Sequence, residues 1–135
     1  MLTMDPKTDP KAELMRIVPG LATYRDADLA RLVPLVDEVS FAPGKTLVRE
    51  GTHGKQVFVI VDGLADVTFE GRPRATVGPG DYVGEVAALD HGLHTATVVA
   101  RTVVRALVMD PRSFVTILSE PRVATRLAIQ LAQRL

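Results

Sequence analysis

Two hydrophobic rhythms divide the chain. Between Pro10 and Val36 the apolar residues recur at helical spacing. Leu14, Ile17 and Val18 predict one face of a short helix that Pro10 opens and Pro19-Gly20 ends. Leu29, Leu32, Val33 and Val36 predict a second helix with Asp26 as its N-cap. Pro34 falls inside that pattern, so the helix is expected to kink or end early. From Val39 the period drops to two. VSF, TLV, QVFVIVD, LADVTF, RATV, TATVVA and VVRALVMD read as short strands, and glycine-bearing turns separate them. Such regular spacing predicts a sandwich or barrel. Asp62-Gly63 reads as a two-residue hairpin turn between QVFVIV and LADVTF. After Asp110 the helical period returns. Pro111 to Leu118 predicts a helix capped by Asp110, and a last helix runs from about Pro121 with Val123, Leu127, Leu131 and Leu135 on one face.

Composition narrows the possible functions. At 135 residues the chain is one domain's worth, with 47% hydrophobic and 24% charged residues. Sixteen basic residues balance sixteen acidic ones. That balance argues against a polyanion binder acting through bulk charge. There is no cysteine, which excludes disulfides, zinc-thiolate sites and cysteine nucleophiles. No apolar run approaches the roughly 18 residues of a membrane span. The polar, proline-bearing start does not resemble a secretory signal, so a cytoplasmic location is expected. Residues 1–10 are expected to be a flexible tail and residues 11–135 the domain.

The informative stretch is Gly78 to Ala100, and within it Gly84-Glu85-Val86-Ala87-Ala88-Leu89. This run is too short for a core helix and alternates poorly for a strand, yet could form about one and a half helical turns. A single turn set among strands exposes backbone N–H groups from about Val86 to Ala88, and these suit an anion. Gly84 permits close approach to the backbone, and the alanines leave room above the turn. Glu85 would repel a phosphate but could accept from a sugar hydroxyl. Together these features describe a pocket for a sugar phosphate. A crossover turn with a solvated Glu85 would produce the same run.

From Val18 to Leu135 the sequence resembles the cyclic nucleotide-binding domain family. The resemblance rests on Phe41-Ala-Pro-Gly44-Lys-Thr-Leu-Val-Arg49-Glu-Gly51, Val57-Phe-Val-Ile-Val-Asp62-Gly63, Gly78-Pro-Gly-Asp-Tyr82-Val-Gly84-Glu85-Val-Ala-Ala-Leu89 and His94-Thr-Ala96-Thr97-Val98, in that order. It implies an α+β fold: an antiparallel, jelly-roll-like β-roll (a double-stranded β-helix) flanked by N-terminal and C-terminal helices. It also implies a phosphate-binding cassette whose ligand-binding residues are Val83, Gly84, Glu85, Val86, Ala87, Ala88, His94, Thr95 and Ala96. Glu85 would accept from the ribose 2′-hydroxyl. The N–H groups of Ala87 and Ala88, with Thr95, would hold the cyclic phosphate. Val83 and Val98 would line the sugar and base. The C-terminal helix would lie over the base as a lid, with Thr125 as a polar contact and a frayed, mobile end. Where the family's cassette carries a phosphate-gripping arginine, this chain has His94. An imidazole offers one donor in place of a charged fork, at a cost of about 1.5–3 kcal/mol.

Other candidates are weaker. His91 and His94 beside Asp90 and Glu85 could be read as a metal cluster, but histidines across a glycine turn are more simply loop residues, and no metal is expected. Arg72, Arg74, Arg101 or Arg105 could substitute for the missing arginine. Arg49 and Glu50 read equally as an ion pair or a solvated turn. No nucleophile elbow or phosphate-cradling glycine loop with a following lysine is present, so binding and not catalysis is expected. The expected function is a stand-alone regulatory module, or a piece of a larger protein, sensing cyclic AMP or cyclic GMP weakly. Its signal would pass to a protein effector or a homodimer partner, with no nucleic acid or membrane involved. The alternative is a degenerate domain serving as an interaction or dimerisation scaffold without nucleotide.

Overall fold

The computed structural model describes residues 9–134. Two short N-terminal helices, α1 (Pro10–Leu14) and α2 (Asp26–Leu32), lead into the strands. The strands are β1 (Asp37–Phe41), β2 (Thr46–Val48), β3 (Val57–Asp62), β4 (Ala65–Phe69), β5 (Arg72–Val77), β6 (Tyr82–Val83), β7 (Thr97–Ala100) and β8 (Val104–Met109). Helix α3 (Glu85–Asp90) interrupts them, and α4 (Pro111–Leu118) and α5 (Pro121–Gln133) follow. One antiparallel sheet has the order β1-β8-β3-β6 and the other β2-β7-β4-β5. This is the α+β roll with helices at both ends that the sequence predicts. Residues 1–8 of the expected tail lie outside the described residues; Asp9 accepts from the Lys11 N–H at 2.8 Å as the cap of α1, and Pro10 is its first residue.

The continuous apolar run of β3 has a simple cause. Val57 and Val59 face the helices, while Phe58 and Ile60 face the opposite sheet. A strand buried on both sides cannot alternate polar and apolar residues. Its neighbour β8 behaves likewise, sending Leu107 and Met109 to the helices and Val104 and Ala106 between the sheets. One apolar cluster therefore lies between the sheets. The other lies between the first sheet and Met15, Leu29, Phe114, Ile117, Val123 and Leu127 of the helical segments.

Two expectations change. Asp62-Gly63 does not close a hairpin, because β3 and β4 belong to different sheets. Gly63 has φ +94°, and a Cβ there would lie 2.1 Å from the Val103 carbonyl oxygen. The turn is thus backed onto the corner between β7 and β8 and carries the chain from sheet to sheet. The tight hairpin is β4–β5, where Glu70 and Gly71 both have positive φ, at 51° and 77°, as a type I′ turn requires. At α2 the cap position is Arg25. Asp26 is the first helical residue, and its carboxylate accepts from Arg16 at 2.6 Å. A short 3-10 turn, Val33–Leu35, holds Pro34 and ends the helix as its ring demands. The strand β6 was not legible as one, being only two residues long.

Asp110 does cap α4, accepting from the Ser113 N–H at 2.7 Å. That helix places Phe114 in the core with its ring 5.8 Å from that of Tyr82 on β6. Phe114→Ala is expected to lower unfolding free energy by about 3–5 kcal/mol in urea titration. A loss below about 1 kcal/mol would show that the helical layer does not depend on this contact.

Candidate functional site

Helix α3 begins at Gly84, whose φ of +84° is left-handed and costs a glycine little. A Cβ at Gly84 would also stand 2.9 Å from the Gln56 carbonyl oxygen and 3.1 Å from Cε1 of His94. The glycine is thus required by its neighbours as well as by its turn. The structure brings Gly84 and His94 into contact although ten residues separate them in the chain.

The loop joining β2 to β3 lies on this helix. Its Gly51 N–H donates to the His94 carbonyl at 2.9 Å, the His94 N–H donates to the Thr52 carbonyl at 2.8 Å, and the Gly54 N–H donates to the Gly92 carbonyl at 3.2 Å. A Cβ on Gly54 would meet the Cβ of Ala87 at 2.6 Å and the Ala88 nitrogen at 2.8 Å. The room expected above Ala87 and Ala88 is therefore filled by the Gly54 backbone. The Ala88 N–H is also engaged, donating to the Gly84 carbonyl at 3.3 Å. The Ala87 N–H has no partner among the described residues.

The remaining predicted residues occupy different settings. Val83 and Val98 are buried in the cluster between the sheets. Val86 and Thr95 are exposed, and Ala96 is half-buried. His94 is half-buried, and this burial lowers its pKa from the usual 6.5, so the imidazole is neutral at pH 7. A cavity of about 300 Å³ opens beside it, lined by Val48, Arg49, His53, Lys55, Phe58 and His94 among others.

Glu85 is the one buried charged residue among the described residues, with only 3% of its surface exposed. Its carboxylate accepts from the guanidinium of Arg134, the residue that ends α5. The same guanidinium donates to the Tyr82 carbonyl at 3.0 Å. One turn earlier, the Gln130 amide donates to the Gly80 carbonyl at 3.0 Å. The end of α5, expected to fray, is thus fastened to the cassette. Neither Arg134 nor Gln130 was found by sequence reasoning. No local spacing signals a contact across 49 residues.

Thr125 does not reach the cassette. It lines a separate cavity of about 380 Å³ with Gly20, Ala22, Thr23 and Arg122, and its hydroxyl donates to the Pro121 carbonyl at 3.2 Å. Three of the four arginines weighed as substitutes are occupied elsewhere. Arg101 pairs with Asp66 at 2.5 Å, Arg105 lies 3.6 Å from Glu38, and Arg74 stacks on Phe69. Arg72 forms no ion pair among the described residues. Arg49 and Glu50 do not pair either. Glu50 instead accepts from the Glu70 N–H at 3.2 Å and supports that left-handed residue. Among the described residues no group of three His, Asp or Glu side chains converges as a metal site would require.

Burying Glu85 requires Arg134. Arg134→Ala should lower stability by about 1–3 kcal/mol, since it strands a desolvated carboxylate. A double-mutant cycle with Glu85→Gln should give a coupling of at least about 1 kcal/mol in chemical denaturation. Additive effects would mean that the pair contributes nothing to folding.

Comparison with known proteins agrees with this architecture. The cyclic nucleotide-binding domain model matches residues 38–120. The potassium/sodium hyperpolarization-activated cyclic nucleotide-gated channel 2 of Mus musculus is 33% identical over 109 residues, covering 78% of this chain and 12% of the channel. Among solved structures, a cAMP-binding acyltransferase from Mycobacterium smegmatis superposes with a TM-score of 0.75 at 28% identity, over 92% of this chain and 40% of that one. The regulatory subunit of a cAMP-independent protein kinase A from Trypanosoma brucei superposes with a TM-score of 0.74 at 24% identity, over 87% of this chain and 45% of that one. No described helix is long and apolar enough to cross a membrane. The chain belongs to the cyclic nucleotide-binding domain family.

Proposed function

We propose that this domain is a sensor of cyclic AMP or cyclic GMP, working by binding and not by catalysis. The observation that carries this reading is the buried carboxylate of Glu85 one residue after left-handed Gly84, with the unpartnered Ala87 N–H on the same short helix. Glu85 would accept from a ribose hydroxyl, and the Ala87 N–H and Thr95 would meet the phosphate. His94 stands where the family has its arginine, so binding is weak. The ribose competes with Arg134 for Glu85, which couples the ligand to the end of α5. A protein effector or a second copy of the domain would read the changed helix. The likeness to the channel and to the acyltransferase supports the ligand class.

A second reading is a scaffold that binds no nucleotide. The Arg134–Glu85 pair already occupies the carboxylate, and Gly54 already covers α3. A fold neighbour is itself described as cAMP-independent. Calorimetric titration with cyclic AMP and cyclic GMP separates the two readings. Saturable heat that weakens about tenfold or more in Glu85→Gln supports the sensor. No heat at millimolar nucleotide supports the scaffold.

The sensor reading also fixes a pH dependence. Burial lowers the pKa of free His94 below 6.5. A bound phosphodiester favours the imidazolium and raises that pKa. The complex then holds more protons than the free protein, so affinity rises as pH falls from about 7.5 toward 5.5. Arg49, His53 and Lys55 line the same cavity, and His53→Gln serves as the control for the second imidazole. His94→Arg is expected to tighten binding at pH 7.5 and to flatten the profile. An unchanged profile in His94→Arg would remove His94 from the site.

A further inference from the structure

We propose that the charge lost from the cassette is supplied by the β2–β3 loop, so that Arg49 and Lys55 hold the ligand's phosphate beside His94. This inference rests on reading the pocket as a nucleotide site, and it assigns the anion's partners within that site.

Arg49, His53 and Lys55 come from a single loop and line one cavity with His94, above an apolar floor that includes Val48 and Phe58. No carboxylate lines that cavity. Neither Arg49 nor Lys55 forms an ion pair among the described residues. Two uncompensated cations around one concave wall focus a positive potential there, although the whole chain is neutral. Their placement is fixed by the backbone. The loop bonds to the cassette through Gly51, Thr52 and Gly54, and His53 forms an isolated β-bridge with Leu93. The side chains of Arg49 and Lys55 are exposed and long, so they can close on an anion without moving that frame. Arg49 offers a planar fork suited to two phosphate oxygens, while Lys55 supplies a mobile point charge. His94 beside them adds one hydrogen-bond donor, while the permanent charge comes from the loop.

The test is a calorimetric titration of the 135-residue chain with cyclic AMP at low and high salt, beside an NMR titration with inorganic phosphate alone. The variants are Arg49→Gln with Lys55→Gln, and Arg49→Lys with Lys55→Arg, which keeps the charge. The double glutamine variant is expected to lose about tenfold or more in affinity and most of the salt dependence, and the charge-keeping variant to retain most of both. Phosphate alone is expected to shift resonances of Arg49, Lys55 and His94. Wild-type affinity for cyclic AMP in the double glutamine variant would overturn the loop assignment and leave the sensor reading intact. Phosphate binding that depends on Arg49 and Lys55, without cyclic AMP binding, would uphold the anion site and overturn the sensor reading. If neither probe binds, both are overturned.

Discussion

Burial of β3 and β8 on both faces is the constraint on which the rest of the structure depends. Only strands covered by a second sheet on one side and by helices on the other can carry Val57, Phe58, Val59 and Ile60 in succession. The helices at both ends are therefore the outer wall of the core. The wall must also be continuous, because at the apolar density of this core each uncovered aliphatic side chain costs about 1.5–3 kcal/mol. Ala88 of α3 belongs to that wall, together with Tyr82, Phe114 and Leu127. A short helix that carries candidate ligand contacts is thus also part of the hydrophobic core.

That double role explains the small residues of the cassette. Gly54, Gly84, Ala87 and Ala88 allow the β2–β3 loop, α3 and the His94 segment to meet at backbone distance. Any side chain at Gly54 would intrude on Ala87 within 2.6 Å. The tight contact aligns one loop against another, and that alignment puts Arg49, Lys55 and His94 around a common space. The open cavity thus lies beside α3, at the loop, and not directly above its alanines.

Much of this was legible in the sequence, and the limits were physical. The period change at Val39 and its return after Asp110 mark the β block accurately, because one-sided helices and strands must repeat at their own periods. The cap at Asp110 was legible because it is local, spanning three residues. The Asp62-Gly63 turn misled because a tight turn fixes only the local backbone path. Whether its flanking strands pair is decided by the corner at Val103, forty residues later. Thr125 misled in the same way, since the rotation of α5 is set by Val123 and Leu127 in the core and turns Thr125 toward Gly20 and Thr23. Gly84 and Glu85 stood out by residue type. Arg134 did not, because an arginine near a chain end has no pattern to distinguish it.

The Arg134–Glu85 pair gives the cassette and the outer helix a shared energy. A carboxylate with 3% exposure must be neutralised or hydrogen-bonded, and in this state the donor comes from α5. Any hydroxyl that takes the same oxygen must compensate the loss of a charge-assisted bond, and Arg134 would then also lose its reason to stay near the Tyr82 carbonyl. The Gln130–Gly80 bond would be left as the last polar tie between the end of α5 and the roll. The base of α5 is held differently, by Val123 and Leu127 in the apolar cluster and by the bond of 2.5 Å from the Tyr24 hydroxyl to the carboxylate of Glu120, the residue before it. The base of the helix is therefore fixed mainly by hydrophobic burial, while its far end adds polar contacts to the cassette to the packing of Leu131. A ligand hydroxyl at Glu85 would compete only with the polar contacts. Under the sensor reading, the distal half of α5 would swing about its base, with the core beneath Val123 undisturbed.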